Sequence, residues 1–476
     1  MIVDNILELE RKKFPVIIVG SGPAGISAAL KLGEHKINCL IIESGHLDDY
    51  EDSNKFLMGD TIGDEYADLS TVRVKKFGGS SSLWGGYCNK FEKKEFESWP
   101  IDFDELHNYD SQAKKILDLK FYHTDFYKKN FSEDFNQFNI RFSQVKFKDF
   151  YLKKITESKY ISLSLNTTLI KFSGNKNRIS EILCEKNKSF FNLKAKYFIL
   201  ASGGIENSRL LLWSKEKDPS LFDKRLPIGK YYMDHPWHMP AEGFLSYNNL
   251  IKYLGKNNFS RELYIDCLPR LYLSMKESTK NENGLLGAGI YLRIKNPEHQ
   301  EDNILKKALC IAPNFIKNKI DTNKKNDLYE FRLNLHQEQE PDIDNRISLS
   351  EKRDPFGIPL VKINWKMSSK LKKTAKQNLI ELGNFFISKD IGRISIKDEV
   401  FYEENFKVMS GAHQMGGTCA GQDFKKSVVD KDLKVHFSKN LFIAGSSVFP
   451  TSGSCHPTYT IVLLSLRLAD HINKII

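Results

Sequence analysis

Several features that define other classes of protein are missing from this chain of 476 residues. No stretch approaches the roughly 18 consecutive apolar residues that a membrane-spanning helix needs, so we expect no transmembrane segment. The first residues, MIVDNILELERKKF, lack the basic start and apolar core of a secretory signal. We therefore expect a cytoplasmic protein.

The cysteines argue against a disulfide scaffold and against a zinc site. There are seven, an odd and scattered set without a CxxC pair. We interpret them as small, core-filling side chains and expect no bound metal. Cys419 and Cys455 are close in sequence to His413 and His456, but no activating neighbour supports a redox role for either thiol.

The charge pattern lacks the marks of a nucleic-acid-binding protein. The net charge is +11, from 71 lysines and arginines against 60 acidic residues. Lysines are spread in short groups, with no dense arginine patch between aromatics and no zinc-finger or RNA-binding motif. We interpret the excess as a solvated, lysine-rich surface, and an acidic or phosphorylated substrate stays open as the alternative.

A dinucleotide-binding turn is present near the start of the chain. The apolar run 14–19 predicts a buried parallel strand, GSGPAG follows at once, and the next residues predict a helix. Gly20 would make the tight turn, Gly22 would let a pyrophosphate approach, and Gly25 would let helix and strand pack closely. A second strand ends in Glu43, spaced as a ribose-binding carboxylate should be. The predicted dinucleotide contacts here are Gly20, Ser21, Gly22, Pro23, Ala24, Gly25, Glu43 and Ser44.

A second such unit is missing between residues 100 and 400. The fingerprint serves FAD and NAD alike, but flavoprotein reductases that take electrons from NAD(P)H usually carry two copies. The chain is therefore expected to bind one dinucleotide and to take its electrons from another substrate.

The middle of the chain shows a change of pattern. The loop 77–86, FGGSSSLWGG, has small residues that permit close approach to a ligand, and 194–201 predicts another strand followed by a turn and a helix. From 241 to 400, alternating apolar and polar residues predict an antiparallel sheet with one solvated face. His235 and His238 flank a proline, which excludes a helical metal face, and we interpret both as structural.

Near the C-terminus, HQMGGT carries His413 and SGSCHPTYT carries His456. A redox cofactor bound at the N-terminal turn would need proton-handling groups from elsewhere, and this block is the best candidate to supply them. Pro457 suits the first turn of a helix, in which Ile461, Leu464, Leu468 and Ile472 recur at helical spacing.

Taken together, these motifs resemble the glucose–methanol–choline (GMC) flavoprotein oxidoreductases, especially shorter bacterial members. The resemblance rests on GSGPAG with Glu43, FGGSSSLWGG, ASGGIENSRLLL, GKYYMDHP, NRISLSEKRDPFGIP and the block from His413 to Asp470. It implies FAD and the oxidation of a CH–OH group. It also implies catalytic roles for His413, as the base, and His456, as the group that positions the oxygen. Leu83 occupies the place of a histidine that is bonded to the flavin in some relatives, so non-covalent FAD is expected.

The resemblance also implies further cofactor-binding residues. They are Gly78, Gly79, Ser80, Ser81, Trp84, Gly85, Gly86, Ala201, Ser202, Gly203, Glu206, Asn207, Gly445, Ser446, Pro457 and Thr458. The start of the C-terminal helix would direct its positive dipole end at the flavin. The expected substrate is a sugar, a polyol or a sugar-derived alcohol, and the electron acceptor is left open.

The expected fold class is α/β. A Rossmann-like FAD-binding domain with a parallel sheet would comprise 1–115, 160–240 and 405–476. An α+β substrate domain built on an antiparallel sheet would comprise 116–159 and 241–404. Two alternatives stay open: dehydrogenation of a carbon–carbon bond on the same fold, and a non-catalytic flavin-binding subunit.

Overall fold

The structure is a computed structural model that describes residues 1–48, 53–89, 91–119, 128–138, 142–175, 177–254, 270–294, 328–402, 406 and 408–476. Its helices, in chain order, are α1 (Ile6–Arg11), α2 (Pro23–Glu34), α3 (Phe103–His107), α4 (Asp110–Ile116), α5 (Phe147–Thr156), α6 (Glu206–Lys217), α7 (Tyr247–Leu254), α8 (Glu277–Asn283), α9 (Ser369–Ser388) and α10 (Thr458–Ile475). Its strands are β1 (Val16–Val19), β2 (Cys39–Ile42), β3 (Gly59–Gly63), β4 (Lys128–Asn130), β5 (Phe135–Phe138), β6 (Ile161–Ser164), β7 (Thr168–Asn175), β8 (Arg178–Lys186), β9 (Ser189–Leu193), β10 (Tyr197–Leu200), β11 (Pro236–Ser246), β12 (Arg270–Met275), β13 (Ala288–Ile294), β14 (Leu328–Gln337), β15 (Arg346–Arg353), β16 (Pro359–Trp365), β17 (Gly392–Ile396), β18 (Met409–Ser410) and β19 (Leu441–Ile443).

A five-stranded parallel sheet forms the first layer, in the order β19-β10-β1-β2-β6. All four residues of β1, β2 and β10 are buried, which explains why these strands appear in the sequence as continuous apolar runs rather than alternating ones. Because all strands run the same way, the loops after β1, β2, β10 and β19 emerge at one edge of the sheet. In open α/β sheets that edge is where ligands bind.

An eight-stranded sheet forms the second layer. Its order is β17-β11-β14-β13-β12-β5-β4, with β18 paired to β11, and each pair is antiparallel. Helix α9 covers one face through Leu371, Leu379, Leu382 and Phe386, which are all buried. The α/β fold class, with one parallel and one antiparallel sheet, is thus confirmed.

The described residues also form two smaller, three-stranded sheets. One is the antiparallel meander β7-β8-β9. The other places the hairpin β15-β16 beside β3, which runs parallel to β16. The hairpin over NRISLSEKRDPFGIPLVKINW was expected within the large antiparallel sheet, but it pairs with β3 instead, so it forms a separate layer.

The expected domain division stays a prediction, and two elements are placed differently from its boundaries. Strand β11 spans Pro236–Ser246, so a boundary at 240/241 falls inside one strand of the antiparallel sheet. Helix α5 buries Phe147, Tyr151 and Ile155 in the core beneath the parallel sheet, although 116–159 was assigned to the substrate domain.

Helix α10 packs along α2, and most of its residues are buried in the hydrophobic core around the parallel sheet. Leu464, Leu468 and Ile472 are buried as expected, whereas Ile461 is half-buried because it lines the cavity at the edge of the parallel sheet. Within the described ranges, no helix has the length and apolar character to cross a membrane.

The packing of α10 predicts the cost of truncating its side chains. Leu464 is 0% exposed, so Leu464→Ala should lower the free energy of unfolding by about 2–5 kcal/mol through lost burial and a residual cavity. Ile475 lies on the same helix at 39% exposure, so Ile475→Ala should change stability by no more than about 0.5 kcal/mol. Urea unfolding of the two variants measures the difference, and equal midpoints would show that the helix is not packed as described.

Candidate active site

The edge of the parallel sheet opens into a cavity of about 580 Å³. Its walls come from the loops after β1, β2, β10 and β19, from the loop 79–87 and from the first turn of α10. This volume is in the range of pockets that enclose a small ligand or a cofactor. Twenty-one of the residues that the sequence predicted are in its wall: Gly20, Ser21, Gly22, Pro23, Ala24, Glu43, Ser44, Gly79, Ser80, Ser81, Trp84, Gly85, Gly86, Ala201, Ser202, Gly203, Glu206, Gly445, Ser446, Pro457 and Thr458, together with His413 and His456.

The turn after β1 requires glycine at two positions for different reasons. Gly20 has φ +107°, and a Cβ there would lie 2.5 Å from the carbonyl oxygen of Ala201. A Cβ at Gly25 would lie 2.0 Å from the carbonyl oxygen of Gly20. Gly22, by contrast, has φ −73°, and a Cβ there would have no protein atom within 4 Å. The fold itself therefore does not require glycine at this position, and the missing side chain leaves space in the cavity.

Glu43 closes this turn through its carboxylate. Oε2 accepts hydrogen bonds from the Ser21 N–H at 3.0 Å and the Ser21 hydroxyl at 2.7 Å, and Oε1 accepts one from the Gly45 N–H at 2.7 Å. The side chain is buried at the cavity wall. It therefore orders the turn itself, and its role toward a ribose stays a prediction.

Three predicted residues lie outside the cavity wall. Gly25 is at the contact between helix α2 and the turn. Gly78 has φ +91° and is packed against the backbone of Lys148. Asn207 is fully buried: its Oδ1 accepts from the Ser202 N–H at 2.8 Å, and its Nδ2 donates to the carbonyl oxygen of Ala444 and to the Ser447 hydroxyl. It ties the loop after β10 to the loop after β19, so it supports the site without lining it.

Other wall residues escaped the sequence prediction because no motif marks them. Lys75 lines the cavity, with Nζ 4.0 Å from the ring centroid of Phe56. Burial lowers the pKa of Lys75 to about 8. Arg73 and Arg209 were not predicted either; they hold the predicted residue Glu206 through ion pairs of 2.6 Å and 2.9 Å.

The two predicted catalytic histidines meet in the cavity. The ring centroids of His413 and His456 are 4.9 Å apart, at an interplanar angle of 75°. Tyr87 stacks on His456 with ring centroids 5.2 Å apart. The residues come together because His413 follows β18, which pairs with the antiparallel sheet, whereas His456 precedes α10, which packs on the parallel sheet.

Two more histidines join this pair. His336, on β14, has its ring centroid 6.1 Å from that of His413 and 5.8 Å from that of His456, and it lines the cavity. His336 was not predicted, since a lone histidine in an alternating strand has no motif around it. His235 was interpreted as structural, but its Nδ1 is 2.9 Å from Nδ1 of His413.

His238 was interpreted as structural, and it lies in the protein interior outside the cavity wall. It is buried on β11, its Nε2 is 3.2 Å from Oε1 of Gln337, and its ring lies against Phe406. Within the described residues it has no hydrogen bond or ring contact with the other histidines, but it helps to lower the pKa of His336.

Burial makes the clustered histidines weak bases. It holds the pKa of His413, His456 and His336 well below the usual 6.5, and neighbouring histidines lower each of them further. The pKa of His235 falls to about 4, mainly through burial. At neutral pH all four imidazoles are therefore uncharged and able to accept a proton.

Two segments of the chain match known protein families. The family described as "GMC oxidoreductase" matches residues 341–465, and an FAD-binding domain matches residues 15–48. The first covers the segment that carries His413 and His456, and the second covers the turn with Gly20, Gly22 and Glu43.

Individual relatives are similar over parts of their length. The fructose dehydrogenase large subunit of Gluconobacter japonicus is 26% identical over 309 residues, which are 62% of this chain. The alignment spans only about half of that relative, 51% of its length. A C-glycoside 3-oxidase of Arthrobacter globiformis is 32% identical over 125 residues, 25% of this chain and 22% of the relative.

Solved structures share the fold over almost the whole chain. Pyridoxine 4-oxidase from Mesorbium loti superposes with a TM-score of 0.60 at 12% identity, covering 96% of this chain and 99% of that one. A formate oxidase gives a TM-score of 0.57 at 16% identity, covering 97% and 98%.

The cavity fits FAD on observations of its own. The backbone at Gly22 faces open space at the N-terminus of α2, where unpaired N–H groups and the helix dipole favour phosphate. Gly79 approaches Gly22 so closely that a Cβ on Gly79 would lie 3.1 Å from the Gly22 Cα, so the two glycine-rich loops form one cradle. Leu83 at the cavity wall has no nucleophilic atom, which supports the expected non-covalent attachment.

Gly22 provides a test of this cradle. Gly22→Ala adds a methyl group where the protein leaves room but a pyrophosphate would lie, so we expect FAD affinity to fall roughly tenfold or more with little change in apoprotein stability. Gly25→Ala, the matched control, should destabilise the apoprotein, because its methyl group would collide with Gly20. Flavin titration by fluorescence and apoprotein unfolding separate the two effects. Unchanged affinity in Gly22→Ala would contradict the assignment.

Proposed function

Because the chain belongs to the GMC family of FAD-dependent oxidoreductases, we propose that it oxidises the CH–OH group of a sugar, a polyol or a sugar-derived alcohol. His413 acts as the base, and His456 positions the hydroxyl oxygen. The observation that carries this proposal is the pair of neutral, half-buried histidines, with ring centroids 4.9 Å apart, in the wall of the FAD cavity.

The chemistry needs a group that removes the hydroxyl proton. An alcohol is a very weak acid, so loss of hydride from its carbon is slow unless the O–H proton leaves in the same process. His413 is uncharged at neutral pH and accepts that proton. It is half-buried at the cavity wall, and the partial removal of water strengthens the electrostatic contacts around the reacting oxygen.

His456 has the complementary task of holding the oxygen. Its ring is fixed on one side by Tyr87 and faces His413 edge-on. A second imidazole on the opposite side of one hydroxyl can donate a hydrogen bond to developing alkoxide charge. FAD, when bound, supplies the two-electron acceptor for the hydride.

The substrate class is supported by the chain's relatives and by the lining of the site. Fructose dehydrogenase and C-glycoside 3-oxidase are named for sugars and their derivatives. His336, His413 and His456 give the substrate end a wall of hydrogen-bonding imidazoles, and Tyr87 supplies an aromatic surface. Such a mixture suits a polyhydroxylated ring better than an aliphatic chain.

The central experiment mixes the FAD-loaded protein anaerobically with sugars, polyols and simple alcohols, and follows flavin absorbance. Bleaching by hydroxylated compounds would support the proposal. Bleaching only by compounds that offer a carbon–carbon bond and no hydroxyl would favour the alternative dehydrogenation, and a yellow protein that no substrate bleaches would favour a non-catalytic flavin-binding subunit.

Removing the base should abolish most of the reaction. In His413→Ala we expect the rate constant of flavin reduction to fall about 10²–10⁴-fold, with FAD still bound, because the assigned base for the hydroxyl proton is removed. His471→Ala is the control, since His471 lies on α10 and contacts Asp432 and Phe442 instead of the cavity. Anaerobic stopped-flow absorbance measures both, and full activity in His413→Ala would rule out the assignment.

The lowered pKa values predict the pH dependence. The base must be uncharged, and its pKa lies below 6.5, so kcat/KM should stay level as pH falls from 8 to 6.5. It should then fall at more acidic pH as the imidazole is protonated. Steady-state rates across this range check the prediction, and a half-maximal point at or above pH 6.5 would contradict it.

A further inference from the structure

His235 lies directly behind His413, away from any motif that marks a catalytic group. It is 2% exposed and immediately precedes β11. Its ring is perpendicular to that of His413, with centroids 5.1 Å apart and the two Nδ1 atoms 2.9 Å apart. That distance and the buried setting are those of a hydrogen bond between the imidazoles.

The other nitrogen of His235 determines which way this hydrogen bond runs. Nε2 is 2.9 Å from the carbonyl oxygen of Gly453 and 3.1 Å from that of Ser452. Carbonyl oxygens only accept, so Nε2 of His235 carries the proton. His235 is uncharged at neutral pH, so its Nδ1 is a bare acceptor.

The proton in the contact between the two rings therefore belongs to His413. Its Nδ1 donates to Nδ1 of His235, which leaves Nε2 of His413 as the unprotonated nitrogen. No described residue forms a recorded hydrogen bond with Nε2, and the ring lines the cavity. The opposite tautomer of His413 would place two lone pairs against each other at 2.9 Å.

We propose that His235 is a positioning residue that fixes His413 in its Nδ1-protonated tautomer and so directs the basic Nε2 at the substrate hydroxyl. The tautomer itself follows from the contacts of His235, and only its catalytic consequence rests on the proposed function. The hydrogen-bond chain runs from the carbonyl oxygens of Ser452 and Gly453 through His235 to His413.

The backbone holds this arrangement in place. The N–H groups of His235 and His413 donate to the same oxygen, Oδ1 of Asp234, at 2.7 Å and 2.9 Å. Two segments almost 180 residues apart in sequence are thereby fixed to one atom. The distance between the rings is thus set by the carboxylate as well as by the imidazole contact.

A spectroscopic experiment tests the tautomer without any substrate. Protein loaded with FAD and carrying ring-¹⁵N histidine is studied by two-bond ¹H–¹⁵N correlation spectra, with the His413 signals identified from His413→Gln. We expect a protonated Nδ1 and a bare Nε2 in the unmodified protein. A protonated Nε2 on His413 there would overturn the proposal.

Two substitutions isolate the acceptor. Both His235→Leu and His235→Asn lose the donor to the carbonyl oxygens, but Asn keeps an oxygen close to where Nδ1 was. We expect His413 to lose its fixed tautomer in the Leu variant and to keep it in the Asn variant. His238→Leu is the matched control, since that equally buried histidine on β11 has no recorded contact with His413 and should leave the spectrum of His413 unchanged.

Kinetics then test the consequence. Flavin reduction should slow about 10–100-fold in His235→Leu, as when a partner that orients a functional histidine is removed, with most of the rate restored in His235→Asn. Equal rates in the two variants, with FAD content unchanged, would overturn the positioning role. If no compound reduces the flavin of the unmodified protein, the proposed function fails, while the tautomer is still decided by the spectra.

Discussion

The Asp234 carboxylate is the point on which the geometry of the site depends. It is fully buried, and burial raises its pKa, so its charge is stable only while donors surround it. Four do: the hydroxyls of Tyr66 and Ser410 at Oδ2, and the backbone N–H groups of His235 and His413 at Oδ1. These donors come from three separate stretches of the chain, around Tyr66, His235 and Ser410–His413. An apolar side chain here would deprive the N–H groups of His235 and His413 of their shared acceptor and release the histidines from each other.

Much of the fold follows from local patterns in the sequence. The apolar runs before Gly20 and Glu43 predicted buried parallel strands, and the alternating residues after 241 predicted an antiparallel sheet. The motif residues converge on one cavity for a simple reason. Parallel strands deliver their following loops to one edge, so residues more than 400 positions apart, such as Gly20 and Gly445, become neighbours there.

What the sequence did not reveal depends on contacts between sheets. His336 sits in an ordinary alternating strand, and its position in the cavity follows from how the antiparallel sheet faces the parallel one. His235 had a motif, but nothing local indicates that its ring would meet that of His413. Asn207 was predicted to bind the cofactor, whereas its buried amide joins the loops after β10 and β19 and does not line the cavity. The catalytic roles, the domain limits and the cytoplasmic location stay predictions.

The strand order of the parallel sheet also has a consequence for how the protein is made. β1 and β2 leave the ribosome early, but β19, at the sheet's far edge, and α10, which packs on α2, are synthesised some 400 residues later. Until then the edge of β10 and one side of α2 are uncovered, and the cavity lacks a wall. The nascent chain must keep this apolar surface from aggregating for most of its synthesis, so its dependence on chaperones should be greatest just before the last segment emerges.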